Sequence, residues 1–153
     1  FRSVACIKFN HVPFKGSTDA ATQTIGGMVP VQFDAIPAVL PHIKSGRLRG
    51  IAIGSLKRSP FLPELPTIAE SGYPGFDGVG WIGIVAPAKT PAPLLDKLNA
   101  EMRAILALPD VKEHLAALAF ATVGDTRAEF AAYIKAEYVK WGKVVKDSGA
   151  KAD

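Results

Sequence analysis

The sequence predicts an α/β fold with a largely parallel sheet, and three observations carry that expectation. Short apolar runs rich in β-branched and aromatic residues alternate with helical patterns through the first half of the chain. Residues 48–55 form a near-continuous apolar run of the kind found in a strand covered on both faces. The last third is helical, because Leu94, Leu95, Leu98, Met102, Ile105 and Leu106 keep a 3.6-residue spacing opposite Asp96, Lys97, Asn99, Glu101 and Arg103.

Each element has a local reason. Residues 9–14 read as a short strand closed by Pro13. Gly16 then frees the backbone, Ser17 suits an N-cap, and Asp19 falls in the first helical turn, where a carboxylate favours the dipole. Gly26-Gly27 stops that helix, and residues 28–34 alternate as a strand. Pro37 fits a first helical turn, and the helix it begins reaches Lys44 before Ser45-Gly46. After the strand over 48–55, Pro60, Pro63 and Pro66 demand an extended loop. Thr67-Ile68-Ala69-Glu70 is a capping box predicting a short helix ended by Gly72.

Residues 78–87 predict another buried strand, marked by Trp81, Ile82, Ile84 and Val85. Beyond the amphipathic helix, Pro109 precedes a second helix over 110–119, and residues 121–123 form a short strand. Thr126-Arg127-Ala128-Glu129 is a second capping box. Its helix is expected to run to about Ser148 and to bury Phe130, Ile134, Tyr138, Trp141 and Val145. The Pro- and Gly-rich stretch 54–91 divides a strand–helix–strand part from a helix-dominated part, as where a chain crosses between lobes.

Composition removes several function classes. With 48% hydrophobic and 21% charged residues, the 153-residue chain is no disordered tail, collagen-like repeat or long coiled coil. Uncharged stretches such as 78–88 and 115–124 fall far short of the roughly 20 apolar residues a spanning helix needs. Eighteen basic against fourteen acidic residues leave a net charge of +4, scattered rather than striped. Glu129, Glu137 and Asp147 interrupt the basic run near the end, so a solvated face is favoured over nucleic-acid binding. Cys6 is a lone cysteine, which excludes an internal disulfide and a zinc quartet. The chain opens at Phe1, and residues 1–8 lack the pattern of a signal peptide, so an N-terminal segment is expected to have been removed or to lie on a longer protein.

The chemistry-bearing constellation is Pro13-Phe14-Lys15-Gly16-Ser17-Thr18-Asp19. Backbone N–H groups at a helix N-terminus beside two hydroxyls form a receptor for a carboxylate or phosphate; the same residues also make an ordinary N-cap. The spacing is not that of a P-loop. Asp34, at the carboxyl end of a predicted strand, sits where α/β sheets place ligand contacts, or else caps the helix near Pro37. His11, His42 and His114 have no metal-like spacing, and no Gly-x-Ser-x-Gly supports Ser17 as a nucleophile. Trp81 and Trp141 read as core residues, Trp81 also as a possible pocket wall.

A longer series of motifs is more specific. His11-Val12-Pro13-Phe14-Lys15-Gly16-Ser17, Gly26-Gly27, Val31-Gln32-Phe33-Asp34 and Leu40-Pro41-His42-Ile43-Lys44-Ser45-Gly46-Arg47-Leu48-Arg49 follow one another in order. Pro63-Glu64-Leu65-Pro66-Thr67-Ile68-Ala69-Glu70-Ser71-Gly72, Trp81-Ile82-Gly83, Ala86-Pro87-Ala88, Leu98-Asn99-Ala100-Glu101 and Lys140-Trp141-Gly142-Lys143 continue the series. From about residue 9 to the end, this succession resembles the substrate-binding proteins of tripartite tricarboxylate transporters, the Bug receptors.

The resemblance implies a periplasmic-binding-protein-like (type II) fold of two lobes closing on a small carboxylate, which is passed to membrane permease subunits. It implies no enzyme activity, no cofactor, no metal and no nucleic-acid partner. Lys15, Gly16, Ser17, Thr18, Asp34 and Ala35 match the family's ligand-gripping loops. Phe14 stands where the family often has Tyr, and Ala35 where Asn is common, so two polar groups are absent. Family members run to about twice this length. Residues 1–76 are expected to supply most of lobe two, and 77–153 the crossover strand and helices returning to lobe one. The secretion signal and a Pro-Gly-Gly loop would belong to the other half, and the protein to the periplasm. Two other readings compete: a ligand-sensing effector domain of a transcriptional regulator, and a serine hydrolase pairing Ser17 with His11.

Overall fold

The computed structural model describes residue 5 and residues 7–148; Cys6 lies outside them. Among the described residues five helices are delimited in order: α1 (Ser17–Ile25), α2 (Ile36–Lys44), α3 (Ala92–Ala107), α4 (Pro109–Ala117) and α5 (Arg127–Ser148). The chain forms two compact units, one reaching Trp81 and the other starting at Ile82.

In the first unit α1 packs against α2, and both end in the same way. Met28 N–H donates to the Gln23 carbonyl (3.0 Å) and Gly27 N–H to Thr24 (3.1 Å), with Gly27 at φ 77°. Arg47 N–H likewise reaches His42 (2.9 Å) and Gly46 N–H reaches Ile43 (3.0 Å), with Gly46 at φ 73°. These are Schellman closures, which consume the last free carbonyls and need a residue without a Cβ penalty. Gly26-Gly27 and Ser45-Gly46 therefore stop the helices as expected.

The rest of this unit is built around Ile53, which is buried with Leu62, Ile68, Thr67 and Ser59. Ile53 N–H donates to the Pro66 carbonyl (2.9 Å), and its own carbonyl accepts from Ile68 N–H (2.9 Å), making a single parallel bridge to Thr67. Gly54, the next residue, accepts from Gly78 N–H (2.8 Å). Successive backbone groups point to opposite sides of an extended chain, so 53–54 is the middle of a three-segment seam. The capping box closes as expected: Glu70 Oε2 accepts from Thr67 N–H (2.7 Å) and Thr67 Oγ1 from Glu70 N–H (3.0 Å). It seeds only turns, however, not the expected helix, because Gly72 takes φ 103° five residues on. Arg58 ties the proline loop to it, donating to Glu70 (3.0 Å) and to the Pro63 carbonyl (3.3 Å).

In the second unit α3 packs against α4. Polar bonds fix the chain leading into α5: Asn99 Nδ2 donates to the Asp125 carbonyl (3.1 Å), Arg103 Nε to that of Gly124 (3.0 Å), and Arg127 pairs with Asp96. The Thr126–Glu129 capping box forms, with Thr126 N–H (2.8 Å) and Oγ1 (2.6 Å) both donating to Glu129. Helix α4 ends at Ala117, two residues before its expected end, because Ala119 turns left-handed at φ 61°. Phe120 N–H then donates to Leu115 (2.9 Å) and Ala119 N–H to Ala116 (2.9 Å), a third Schellman closure with alanine in the glycine position.

Three expectations are corrected. The segments expected as strands (9–14, 28–34, 48–55, 78–87 and 121–123) form no ladder among the described residues beyond the bridge at Ile53. A strand is defined by its neighbour about 4.8 Å away, and among the described residues the pairing does not extend beyond the bonds of Ile53 and Gly54. The run 78–87 is accordingly exposed rather than buried, with Ile82 at 84% and Val85 at 78% exposure. Finally, α5 turns the stripe Phe130, Ile134, Glu137 and Val144 inward, while Tyr138, Trp141 and Val145 are exposed. Buried Glu137 is compensated: Lys140 pairs with it, and Trp141 Nε1 donates to its Oε2 (2.8 Å).

Large apolar side chains are left uncovered among the described residues, Met28 at 80% and Ile82 at 84% exposure for example.

Candidate functional site

Gly16, not Ser17, is the N-cap of α1; its extended backbone (φ 165°, ψ 174°) leads into the helix with no side-chain cap. Ser17 is the first helical residue. The first intrahelical bond runs from Ala20 N–H to the Gly16 carbonyl (3.1 Å). The amides of Ser17, Thr18 and Asp19 thus precede the hydrogen-bonded part of the helix and keep their donors for an outside acceptor. Lys15, Gly16, Ser17 and Thr18 are all exposed, and a Cβ at Gly16 would meet nothing within 4 Å.

Asp34 lies beside this N-terminus. Its Oδ1 accepts from Ser17 Oγ (2.7 Å) and from Ala35 N–H (2.8 Å). Ala35 is the N-cap of α2 and, like Gly16, offers no side-chain cap. The Ser17–Asp34 bond therefore pins together the starts of two helices, whose dipoles present partial positive charge at the same place. Asp34 answers one half of its earlier alternatives: it caps no amide within α2, and takes instead the amide just before the helix.

The chemical consequence concerns which donors are free. Ser17 spends its hydroxyl proton on Asp34, so while that bond stands it has only lone pairs to offer. The donors left for an anion are the three first-turn amides, the Thr18 hydroxyl and the Lys15 ammonium. Asp34 adds one acceptor at their edge. His11 is exposed, and the hydroxyl partner of Ser17 is a carboxylate, not an imidazole. Among the described residues no three His, Cys, Asp or Glu side chains are placed to hold a metal ion.

One partner pair escaped sequence reasoning. Thr24 Oγ1 donates to Gln32 Oε1 (2.7 Å) two turns along α1 from Ser17, leaving Gln32 Nε2 as a buried amide without a partner among the described residues. The signal was available: residues seven apart share a helix face, and residues two apart share a side of an extended segment. Ser17 and Thr24 thus face Asp34 and Gln32 as a register. Of the remaining candidates, His42 Nδ1 contacts Arg47 (2.8 Å) at the far end of α2, and Trp141 serves Glu137.

Comparison with known proteins gives this geometry a family. The model of the tripartite tricarboxylate transporter family receptor matches residues 1–150. The chain is 38% identical over 142 residues to protein BugT of Bordetella pertussis, covering 93% of this chain and 44% of BugT. It resembles the R. palustris protein Rpa4515 solved with adipate (TM-score 0.86, 30% identity, covering 97% of this chain and 50% of that one). It also resembles the periplasmic binding protein BugD (TM-score 0.82, 31% identity, covering 99% and 52%). The chain thus spans about half the length of the relatives it matches, and its fold is that of part of a two-lobed periplasmic binding protein. On the family match and these identities together, the chain belongs to the tripartite tricarboxylate transporter family of receptors.

Proposed function

We propose that this chain is part of an extracytoplasmic receptor that captures a small carboxylate for permease subunits of a tripartite tricarboxylate-type transporter. The observation that carries the reading is the pair of helix N-termini pinned by Ser17 and Asp34 (2.7 Å) in a member of this receptor family. Rpa4515, solved with adipate, supports a dicarboxylate as the first ligand to test. The ligand carboxylate would accept from the amides of Ser17, Thr18 and Asp19 and from the Thr18 hydroxyl. Asp34 would hold the α1 start in place and accept from a ligand donor, with Ala35 leaving room beside it. Lys15 would contribute long-range attraction, screened within about 10 Å at ordinary salt.

Neutral donors release an anion more readily than a buried ion pair does, which suits a receptor that must unload. We take binding to proceed without chemistry and the receptor to work in the periplasm, as the likeness to the periplasmic binding protein BugD supports. Residues 1–76 would form most of one lobe, and 77–153 the crossover segment and returning helices.

The test is calorimetry with C4 to C6 dicarboxylates, nicotinate and acidic amino acids on a full-length receptor carrying this sequence. Proline fits the first helical position without disturbing the helix, but removes an amide. Ser17→Pro should therefore weaken carboxylate binding at least ~10-fold relative to Ser17→Ala, the loss expected when a hydrogen bond to a charged group disappears. Equal affinities of the two variants would remove the first-turn amides from the site.

A further inference from the structure

Resting on the receptor reading above, we infer that Thr24 and Gln32 are positioning residues, whose bond fixes the direction in which α1 aims its first-turn amides. Ser17 and Asp34 make one tie (2.7 Å) between α1 and the segment 31–34. A single hydrogen bond is a pivot, about which a helix can still swing and turn. The bond between Thr24 Oγ1 and Gln32 Oε1 (2.7 Å) is a second tie, two turns along the helix. Two ties fix both the tilt of α1 and its rotation. Ligand donors need that, because they must be held within about 10–20° of the productive direction.

The spacing explains the residue types. Seven helical residues advance about 10.5 Å, whereas two extended residues advance about 7 Å. The long side chain of Gln32 makes up the difference, where the shorter Asp34 suffices for Ser17. The segment also presents its polar side to the helix: Gln32 and Asp34 bond to α1, while Phe33 between them is 65% exposed. A slip of one residue would turn Phe33 inward and lose both ties.

Folding does not require the second tie. A hydroxyl has one proton, and Thr24 Oγ1 can spend it on the Ala20 carbonyl of its own helix (2.9 Å) when Gln32 is replaced. Gln32 Nε2 is buried with no partner among the described residues, which lowers stability. Methionine would fill a similar volume without a polar group to satisfy. The amide therefore opposes folding where it sits, and what it contributes is the aim of α1.

The test uses Gln32→Met and Thr24→Val in a full-length receptor carrying this sequence, with C4 to C6 dicarboxylates as probes. Gln32→Met should raise the urea midpoint and yet weaken binding at least ~10-fold by calorimetry, the worth of one misaimed hydrogen bond to a charged group. Exchange of the Ala20 amide, the first bonded one in α1, should quicken at least ~10-fold by NMR as the helix start loosens. Thr24→Val should weaken binding equally, and Thr24→Ser, which keeps the hydroxyl, should restore it. A contact that only supports packing predicts stability and affinity falling together. A lower urea midpoint in Gln32→Met, unchanged Ala20 exchange, or unchanged affinity in a receptor that binds a probe overturns the inference. A wild-type receptor that binds none of the probes refutes the receptor reading instead, and Ala20 exchange then decides the tie alone.

Discussion

Ser17 and Asp34 show how much one hydrogen bond decides at the scale of single residues. Half-buried Asp34 accepts from Ser17 and from the Ala35 amide, so Asp34→Ala hands both exposed donors to water. We expect a loss of about 0.5–1.5 kcal/mol in urea unfolding, less for Ser17→Ala, and a double variant short of the sum because the two share one bond. Gly83 is the tightest backbone position: Gly83→Ala drives a methyl into Phe130 and should cost about 1–3 kcal/mol. Ala119 is the reverse case. Its left-handed backbone costs an alanine about 1–2 kcal/mol, of which burial of its methyl returns about 0.8 kcal/mol. Ala119→Gly should therefore raise stability by up to about 1 kcal/mol; a drop in the urea midpoint would contradict that balance.

Three glutamates set the acid response. Glu70 is held below its ordinary pKa of 4.5 chiefly by the Thr67 amide, Glu129 by the Thr126 hydroxyl, and Glu137 by Lys140. A carboxylate with a depressed folded-state pKa contributes stability that is complete above its unfolded value and disappears as pH falls through the folded one. The melting temperature should thus hold from neutrality to about pH 4.5 and fall below it. Glu70→Gln should flatten part of the fall; an unchanged profile would show that the Thr67 and Arg58 bonds carry no linkage.

At the scale of elements, helices were legible and strands were not. A helix closes its own hydrogen bonds, so caps and glycines within a few residues determine it. The ends at Gly26-Gly27 and Ser45-Gly46, the start at Thr126 and the prolines of α2 and α4 were readable for that reason. Ala119 was not, because nothing about an alanine announces a left-handed turn. Strand pairing depends on a partner elsewhere, and the apolar runs at 28–34 and 79–87 have the character of strands without paired neighbours among the described residues. The face of α5 failed similarly: its apolar residues Phe130, Ile134, Tyr138, Trp141 and Val145 cover more than one stripe, and Glu137 won a buried place through Lys140 and Trp141. The site was half legible. The loop 13–19 and Asp34 were found separately; their junction, and the Thr24–Gln32 pair beside it, emerge only from packing α1 against α2.

For the whole molecule, length is the governing fact. The chain spans about half the length of the relatives it matches and leaves large apolar side chains such as Met28 and Ile82 exposed. The donors proposed for a carboxylate lie on one side only, at the start of α1, and a cleft needs two walls. We propose that carboxylate binding begins at the α1 N-terminus and is completed by a second wall homologous to the unmatched half of BugT. Calorimetric titration of adipate into the 153-residue chain and into the chain joined to the unmatched half of BugT tests it directly. We expect no measurable binding by the short chain and at least ~100-fold tighter binding by the joined protein, lost in Ser17→Pro. Equally tight binding by the short chain, or none by the joined protein, would contradict it.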